Sequence, residues 1–236
     1  MHVTDKEFTV LQEKVKKLEF LLAQMEIKSL ENQIKPHFVF NTLNLVARLI
    51  YLNKNQESLE VVYALSKLLR YAMEKKELVR LRDEVQYIKN YLFIQQKRYG
   101  EQLKYKLDIS QNILSYLIPT MALQPLVDNA IKHGLEPKGG GSITIYGRQE
   151  DENIILKVID DGIGFTKEDS TEKSEGKVSS MGTGIKNIDK RIQFYYGDNY
   201  KFNIFSQPQV GTEVTIILPF KCDYDDLYVP VFWFDK

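Results

Sequence analysis

The sequence predicts an α+β protein in which an N-terminal helical module precedes an α/β domain. Apolar residues recur at every third or fourth position through most of residues 8–72, which is the period of amphipathic helices. Beyond residue 77, short runs rich in β-branched residues alternate with helical patterns, which is typical of a sheet covered on one face by helices. The charged segment 74–77 separates the two textures and is the predicted linker. The 236 residues suffice for one modest domain and a helical module.

Bulk composition excludes several classes of protein. Lys and Arg number 32 and Asp and Glu number 32, so the net charge of zero gives no electrostatic reason to expect nucleic acid as a partner. A single cysteine, Cys222, is compatible with a reducing cytoplasm. No apolar run approaches the roughly 20 residues that a membrane span needs. We therefore expect a cytoplasmic protein, with any membrane sensor lying in a region that this chain lacks.

Residues 1–29 are expected to form a coiled-coil signalling helix. Their apolar positions are spaced by alternating steps of three and four, at Phe8, Leu11, Val15, Leu18, Leu22 and Met25. This a/d rhythm is typical of a coiled-coil seam, although the segment is shorter than such seams usually are. The same amphipathic helix could instead pack on its own domain, and the sequence leaves both arrangements open.

Residues 30–77 are predicted to form a helical hairpin that pairs with a second copy. Pro36 lies inside a helical pattern and is expected to bend the helix. Asn53–Gln56 reads as the turn. The returning helix carries an apolar seam at Val62, Leu65, Leu69 and Ala72. An exposed seam of this kind would be buried in a homodimer.

Residues 78–220 are predicted to form the mixed α/β domain. A short strand is expected near 78–81, followed by a helix with Val85, Ile88 and Leu92 on one face. Further strands are predicted at Leu103–Ile109, Ser142–Tyr146, Ile154–Asp160, Lys201–Phe205 and Glu213–Leu218. Helical patterns are predicted at about 120–133 and 184–196.

Two glycine-containing segments of this domain suggest a binding site. Asp160-Asp161-Gly162-Ile163-Gly164 follows an apolar strand, so a carboxylate meets a backbone that a flat ligand can approach closely. Taken alone, such a segment is more often a glycine turn in a hairpin. Gly182-Thr183-Gly184 opens a helix, whose N-terminal N–H groups can bind phosphate. The polar stretch 166–180 between them is a candidate lid.

The predicted helix at 120–133 adds a third set of polar residues. Asn129, Lys132 and His133 are spaced to project from one face of an α-helix, and Gly134 reads as its terminator. An amide oxygen suits hydrated Mg²⁺, and a lysine suits phosphate oxygens. A solvated polar face is the other interpretation. Gly211-Thr212, before the last strand, is a fourth and weaker mark.

The order of these marks resembles the ATP-binding fold shared by histidine kinases, Hsp90 chaperones, type II topoisomerases and MutL repair proteins (the GHKL superfamily). One branch is indicated by QIKPHFVFNTLN at 33–44, which resembles the phosphoacceptor box of LytS/YesM-type sensor histidine kinases. The similarity continues through LLRY at 68–71 and YLFIQQKRYG at 91–100, and covers about residues 28–220.

This resemblance implies a protein-histidine kinase core that uses ATP and Mg²⁺. Asp160 would accept from the adenine amino group, beside Gly162 and Gly164. Asn129 would hold Mg²⁺, whereas Lys132 and His133 would contact phosphate. Gly182, Gly184 and Thr212 complete the expected nucleotide-binding set. His37 would become phosphorylated and pass the phosphoryl group to an aspartate of a response regulator.

Elementary chemistry agrees with a nucleophilic His37, because neutral imidazole is a competent nucleophile near neutral pH. Asn41, one helical turn on, can hydrogen-bond the ring and fix which nitrogen attacks. A packed helix histidine is the alternative for this residue. At the level of the whole chain, the alternatives are a non-catalytic nucleotide-binding dimeric scaffold and a serine kinase or ATP-driven conformational protein on the same fold.

Three departures from the family pattern are visible. Lys35 stands where Asn is usual, and Asp128 replaces the commoner Glu before Asn129. Asp128 is still expected to act as general base or to position water, with a shorter reach. Residues 221–236 extend beyond the usual end of the family, either as a tail packed on the sheet or as an autoinhibitory or docking segment.

Overall fold

A computed structural model describes residues 36–73, 76–166 and 183–220, with the side chains of Pro36 and Thr183 excepted. The described residues all fall in one compact unit that spans residues 34–236. Four predictions lie outside them: the coiled coil at 1–29, the bend that Pro36 was expected to introduce, the body of the candidate lid, and the tail at 221–236. None of the helices that the structure describes combines the length and apolar character that a membrane crossing requires.

The first two helices form the predicted hairpin. Helix α1 spans Pro36–Tyr51 and helix α2 spans Asn55–Met73. Between them Asn53 adopts a left-handed conformation with a φ of 58°, which asparagine tolerates better than most residues. The buried residues of α2 recur at helical spacing and face the rest of the protein, at Ser58, Val61, Ala64, Leu65, Leu68 and Ala72. The predicted exposed seam is therefore wrong at Leu65 and Ala72, which are buried within the chain.

The hairpin packs on helix α3, Leu81–Tyr99. Acidic residues in the first turn of α3 and basic residues in its last turn complement the helix dipole. Helix α2 is joined to α3 by an ion pair between Glu57 Oε2 and Lys97 Nζ, 2.8 Å apart and partly exposed. The rings of Tyr71 and Tyr87 also meet across this interface, with centroids 4.7 Å apart.

Two short strands anchor the described part of the predicted linker. Strand β1, Leu78–Arg80, pairs antiparallel with β3, Leu117–Pro119. Just before β1, the carbonyl oxygen of Glu77 accepts from the Thr120 N–H over 3.0 Å, and the carboxylate of Glu77 accepts from the Tyr195 hydroxyl over 3.1 Å. Residues 76–80 are therefore held by main-chain and side-chain hydrogen bonds.

The main sheet has five strands in the order β2-β4-β5-β7-β6. Their bounds are Leu103–Ile109 for β2, Gly141–Glu150 for β4, Asn153–Asp160 for β5, Lys201–Gln207 for β6 and Gly211–Pro219 for β7. Strands β2 and β4 are parallel, and the remaining pairs are antiparallel.

Helices cover one face of this sheet, as the alternation of buried residues along β4 and β5 requires. The covering layer contains α3, the helical segment 124–138 and α6, Thr183–Tyr196. The shared core includes Leu81, Ile88, Leu92, Ile131, Ile143, Ile145, Leu156, Val158, Ile185 and Ile188. The predicted α+β class is confirmed.

Candidate functional site

His37 lies exposed in the first turn of α1, with Asn41 one turn further on. Asn41 Nδ2 is 3.2 Å from His37 Nδ1 and 3.1 Å from Nε2. The predicted contact between this amide and the imidazole is therefore present. It leaves the ring accessible from solvent while one side chain restrains its orientation.

Phe38, the residue after His37, packs against the interior of the protein. The ring of Phe38 stacks on the ring of Tyr91 in α3, with centroids 5.0 Å apart and planes 28° from parallel. The Tyr91 hydroxyl donates to Asp128 Oδ1 over 2.7 Å, and Lys132 Nζ lies 2.9 Å from Asp128 Oδ2. Both oxygens of Asp128 thus have partners, which favours a role in holding Lys132 over a role as general base.

The segment that carries Asn129 is not the uninterrupted α-helix that its spacing predicts. Helix α4, Gln124–Asn129, has Pro125 in its first turn, where the missing N–H of proline costs no hydrogen bond. A π-helical turn follows at Ala130–Leu135, in which the Glu136 N–H bonds to the carbonyl oxygen of Ile131. Turns of this kind are frequent at functional sites.

The π turn carries two of the predicted phosphate ligands. Asn129 is half-buried at the junction, Lys132 is half-buried and His133 is exposed. The expectation that Gly134 ends the helix is wrong, because a short helix α5, Glu136–Lys138, continues it. The terminator is Gly139, which adopts a left-handed conformation with a φ of 84°.

Asp160 is the last residue of β5 and its side chain is buried. The Gly162 N–H donates to Asp160 Oδ1 over 2.9 Å, and the Thr212 N–H also donates to this carboxylate. Thr212 is the partner of Asp160 in the register of β5 and β7. Burial raises the pKa of the Asp160 carboxyl, against these two hydrogen bonds.

Gly134 and Gly162 let two backbones meet beside Asp160. A Cβ added to Gly134 would lie 2.6 Å from Asp160 Oδ1, and one added to Gly162 would lie 2.3 Å from the Cα of Gly134. The Ile163 N–H donates to the Gly134 carbonyl across this contact. The glycine after His133 therefore serves close packing against the strand end, a purpose that its sequence position does not reveal.

The rest of the Asp160–Gly164 segment is fixed against the hairpin of β6 and β7. Gly164 has a φ of 58°, and a Cβ there would lie 2.1 Å from the carbonyl oxygen of Gln207. The Gln209 N–H donates to the carbonyl oxygen of Ile163 over 2.7 Å. This wall of the site is thus built from main chain.

Helix α6 brings Gly184 close to the same region. Gly184 lies in its first turn and faces Pro125 of α4, where an added Cβ would make an ordinary 3.5 Å contact. Gly182 lies outside the described residues, as does nearly all of the candidate lid. No group of three or more His, Cys, Asp or Glu side chains able to hold a metal occurs within 36–73, 76–166 and 183–220.

Two residues of the region were not predicted from the sequence. Glu84 in the first turn of α3 is fully buried and accepts from the Tyr71 hydroxyl and from the N–H groups of Met121 and Leu123. An acidic residue at the start of a helix is ordinarily exposed to solvent, so the position of Glu84 in the sequence did not indicate that it is buried. Tyr91 has the spacing of a core residue, and its bond to Asp128 spans 37 positions, beyond any local pattern.

Two family models match successive parts of the chain. A model of the family "Histidine kinase" matches residues 25–103, and a model of the family "Histidine kinase-, DNA gyrase B-, and HSP90-like ATPase" matches residues 117–221. A solved histidine kinase domain from the blue-light activated histidine kinase of Erythrobacter litoralis EL346 is similar at a TM-score of 0.47 and 15% identity, covering 86% of this chain and 94% of that one.

Two proteins of Bacillus subtilis (strain 168) are similar over most of the chain. The sensor histidine kinase YesM is 32% identical over 224 residues, which are 91% of this chain and 38% of YesM. The putative uncharacterized protein YwpD is 32% identical over 200 residues, covering 83% of this chain and 70% of YwpD. The chain thus spans little more than a third of YesM but most of YwpD. With both family models matched in order, this chain belongs to the LytS/YesM-type sensor histidine kinases.

Proposed function

We propose that this chain is the kinase core of a two-component sensor, which phosphorylates its own His37 from ATP and passes the phosphoryl group to an aspartate of a response regulator. The observation that carries the proposal is the exposed His37 ring held by Asn41, on a chain that also buries the Asp160 carboxylate beside Gly162 and Thr212. A packed core histidine would be buried, so the exposure of His37 favours the nucleophile.

Asp160 would bind the adenine of ATP through its carboxylate, because an acceptor-only group suits an exocyclic amine. Two backbone donors, the N–H groups of Gly162 and Thr212, fix the buried carboxylate. Gly162 and Gly164 would form the adjoining wall, with Thr212 at its edge. The raised pKa of Asp160 is a further sign of a site built for a ligand.

The phosphates would lie toward the N-terminus of α6, where Gly182 and Gly184 open the helix. Lys132 would neutralise phosphate charge, and His133, which is exposed beside it, would add a further contact. Asn129 would hold Mg²⁺ through its amide oxygen. Bound Mg²⁺ would supply charge neutralisation of the phosphate oxygens, as expected for a cation that shares its ligands with a nucleotide.

His37 would attack as the neutral imidazole. A bond forms between one ring nitrogen and the γ-phosphorus, the bond from phosphorus to the bridging oxygen of ADP breaks, and ADP leaves. The proton on the other ring nitrogen of the exposed imidazole would pass to solvent. Asn41 would restrain the ring, because its amide nitrogen lies within hydrogen-bond distance of the imidazole. Asp128 would orient Lys132, because its second oxygen is engaged by the hydroxyl of Tyr91.

At the level of domains, we propose a dimer of hairpins formed by residues 30–77, with 1–29 as the signalling helix and 78–220 as the ATP-binding domain. The core would act in the cytoplasm, with a membrane sensor, where one exists, attached outside this chain. The remaining partner would be the receiver domain of the response regulator.

A labelling experiment tests the proposal. Purified protein incubated with [γ-³²P]ATP and Mg²⁺ should acquire label that is lost in acid and retained in base. His37→Ala should abolish the label, whereas His2→Ala, which removes a histidine at the chain terminus, should retain it. Undiminished label in His37→Ala would sink the assignment. ATP binding without any label in the wild type would favour the dimeric scaffold.

A second incubation tests the relay. Labelled wild-type protein, freed of ATP and mixed with a receiver domain, should lose label as the receiver gains it. A receiver domain in which the acceptor aspartate is replaced by asparagine should leave the label on the kinase. Loss of label to that variant would contradict transfer to an aspartate.

A further inference from the structure

We propose that Tyr91 is a positioning residue that holds Lys132 in place for the nucleotide phosphates and couples that placement to the seating of the phosphoacceptor helix α1. The inference rests on the proposed nucleotide site. It concerns a residue that touches neither the expected phosphates nor the His37 ring.

The first step is the direction of the hydrogen bonds. Asp128 is acceptor-only when ionised, so the single hydroxyl hydrogen of Tyr91 is donated to Oδ1, over 2.7 Å. The hydroxyl oxygen in turn accepts from Gln95 Nε2, also over 2.7 Å. Lys132 Nζ engages the remaining oxygen of Asp128 at 2.9 Å. Each member of this series fixes the orientation of the next, from Gln95 to Lys132.

The second step is burial. Tyr91 is 2% exposed, Gln95 3% and Asp128 7%, whereas the side chain of Lys132 is 36% exposed. The series of hydrogen bonds therefore runs from the core outward and ends at Lys132, whose cationic side chain is partly exposed to solvent. Burial and the charge of Asp128 raise the pKa of Tyr91 well above its ordinary value, so the hydroxyl keeps its proton.

A comparison with other buried tyrosines separates this role from simple packing. The Tyr116 hydroxyl donates to the carbonyl oxygen of Pro219, and the Tyr196 hydroxyl donates to that of Leu117. The Tyr195 hydroxyl, also buried, donates to the carboxylate of Glu77, so the identity of the acceptor, and not its being a carboxylate, distinguishes Tyr91. Tyr91 instead donates to the carboxylate that precedes Asn129 and binds Lys132.

The third step is the ring of Tyr91. Phe38 stacks on it, and Phe38 directly follows His37 in α1. A shift of the first turn of α1 would remove this contact and free the Tyr91 ring to move. The hydroxyl cannot move without carrying or breaking its bond to Asp128. The placement of Lys132 is thus linked to the placement of His37 through one side chain.

Binding measurements on the full chain test the positioning role. Dissociation constants for ATP and for adenosine are measured by titration calorimetry for the wild type, Tyr91→Phe and the control Tyr116→Phe. Tyr91→Phe should weaken ATP binding about 3- to 10-fold, the loss expected for one hydrogen bond, and leave adenosine binding unchanged. Tyr116→Phe, which loses a buried hydroxyl elsewhere, should change neither.

The outcomes separate this inference from the proposed function. A parallel loss of ATP and adenosine binding in Tyr91→Phe would indicate a general structural defect and overturn the positioning role. Unchanged ATP binding in Tyr91→Phe would also overturn the positioning role, but it would leave the proposed nucleotide site intact. A wild type that bound neither ligand would overturn the nucleotide site and the inference together.

A double-mutant cycle tests the coupling to α1. Phe38→Ala should weaken ATP binding about threefold in the wild-type background and leave adenosine binding unchanged. In the Tyr91→Phe background the same substitution should have no further effect on ATP binding, because the link to Asp128 is already broken. Equal effects of Phe38→Ala in both backgrounds would show that the helix and Lys132 are independent.

Discussion

Four buried or half-buried side chains form contacts between the helical hairpin and helix α3. Tyr71 in α2 donates to Glu84 over 2.5 Å, and Phe38 in α1 stacks on Tyr91. Glu84 also accepts from the backbone of Met121 and Leu123, directly before α4. The carboxylate of Glu84 is therefore a junction between the hairpin, α3 and the segment that carries Asn129.

Replacing Glu84 by Gln tests this junction. Glutamine has one acceptor oxygen in place of two, so its NH₂ group must face a buried N–H donor. We expect Glu84→Gln to lower the free energy of unfolding by about 1–3 kcal/mol, measured by urea denaturation. Glu150→Gln at the exposed end of β4 should leave it unchanged.

The difference in unfolding free energy between the wild type and Glu84→Gln should depend on pH, because the pKa of Glu84 is shifted in the folded protein. Burial raises that pKa above the ordinary 4.5, against the hydrogen bonds from Tyr71, Leu123 and Met121. The folded state then holds the proton more tightly than the unfolded state. The stability that the group contributes is fully present below pH 4.5 and is lost as the pH rises through the folded pKa. The advantage of the wild type over Glu84→Gln should therefore be larger at about pH 5 than at about pH 7.5; a difference that widens with pH would contradict this sign.

At the scale of elements, the bounds of several strands were predicted well where the run of apolar and β-branched residues is long enough to recognise. The predicted strand Leu103–Ile109 has those bounds in the structure, and the strands at 154–160 and 213–218 differ only by one or two residues at their ends. Strand β3 was missed because three residues ending in Pro119 show no alternation, and the strand exists through its pairing with β1.

The order of residues in the sequence accounts for some contacts of the candidate site but not for its construction. Asp160, Gly162 and Thr212 meet as their order suggests, because a strand end and its antiparallel partner in register bring them together. The π turn at 130–135 was not predictable, because apolar residues at three- and four-residue steps fit both helices. The partners of Asp128 and Glu84 come from elements distant in sequence, so local spacing carries no trace of them.

Gly134 in the π turn and Gly184 in the first turn of α6 are two helical glycines that can be compared by the same substitution. Gly134→Ala would press a methyl group against Asp160 Oδ1 at 2.6 Å, whereas Gly184→Ala would meet only Pro125 at 3.5 Å. Without nucleotide, we expect Gly134→Ala to lower the free energy of unfolding by about 1–3 kcal/mol through overpacking. Gly184→Ala should leave it unchanged or raise it by up to about 1 kcal/mol, since alanine favours the helix. Equal effects in thermal unfolding would show that the contact between the π turn and β5 can relax.

At the scale of the whole molecule, the hairpin has two apolar faces with different uses. One face is buried against α3, at residues such as Val61, Leu65 and Leu68 of α2. The other is exposed, with Val62 at 43%, Leu69 at 36% and Met73 at 77%, all on one side of α2. Helix α1 adds two apolar residues that are about half exposed, Leu43 and Ile50. A monomer gains nothing from an apolar stripe of this length, which favours the proposed homodimer.

Substitution on that stripe is the most direct test of the assembly. Val62→Glu places a carboxylate where a second hairpin would bury it, and burying an unpaired charge costs several kcal/mol. Sedimentation equilibrium should therefore show the dimer weakened by at least about 10-fold, even where residues 1–29 also contribute to pairing. Phe205→Glu on the edge strand β6 is the control, because Phe205 is 68% exposed and lies outside the hairpin. ATP binding should persist in Val62→Glu, since Val62 lies outside the proposed nucleotide site. A dimer as tight as that of Phe205→Glu would mean that the stripe on α2 does not form the interface.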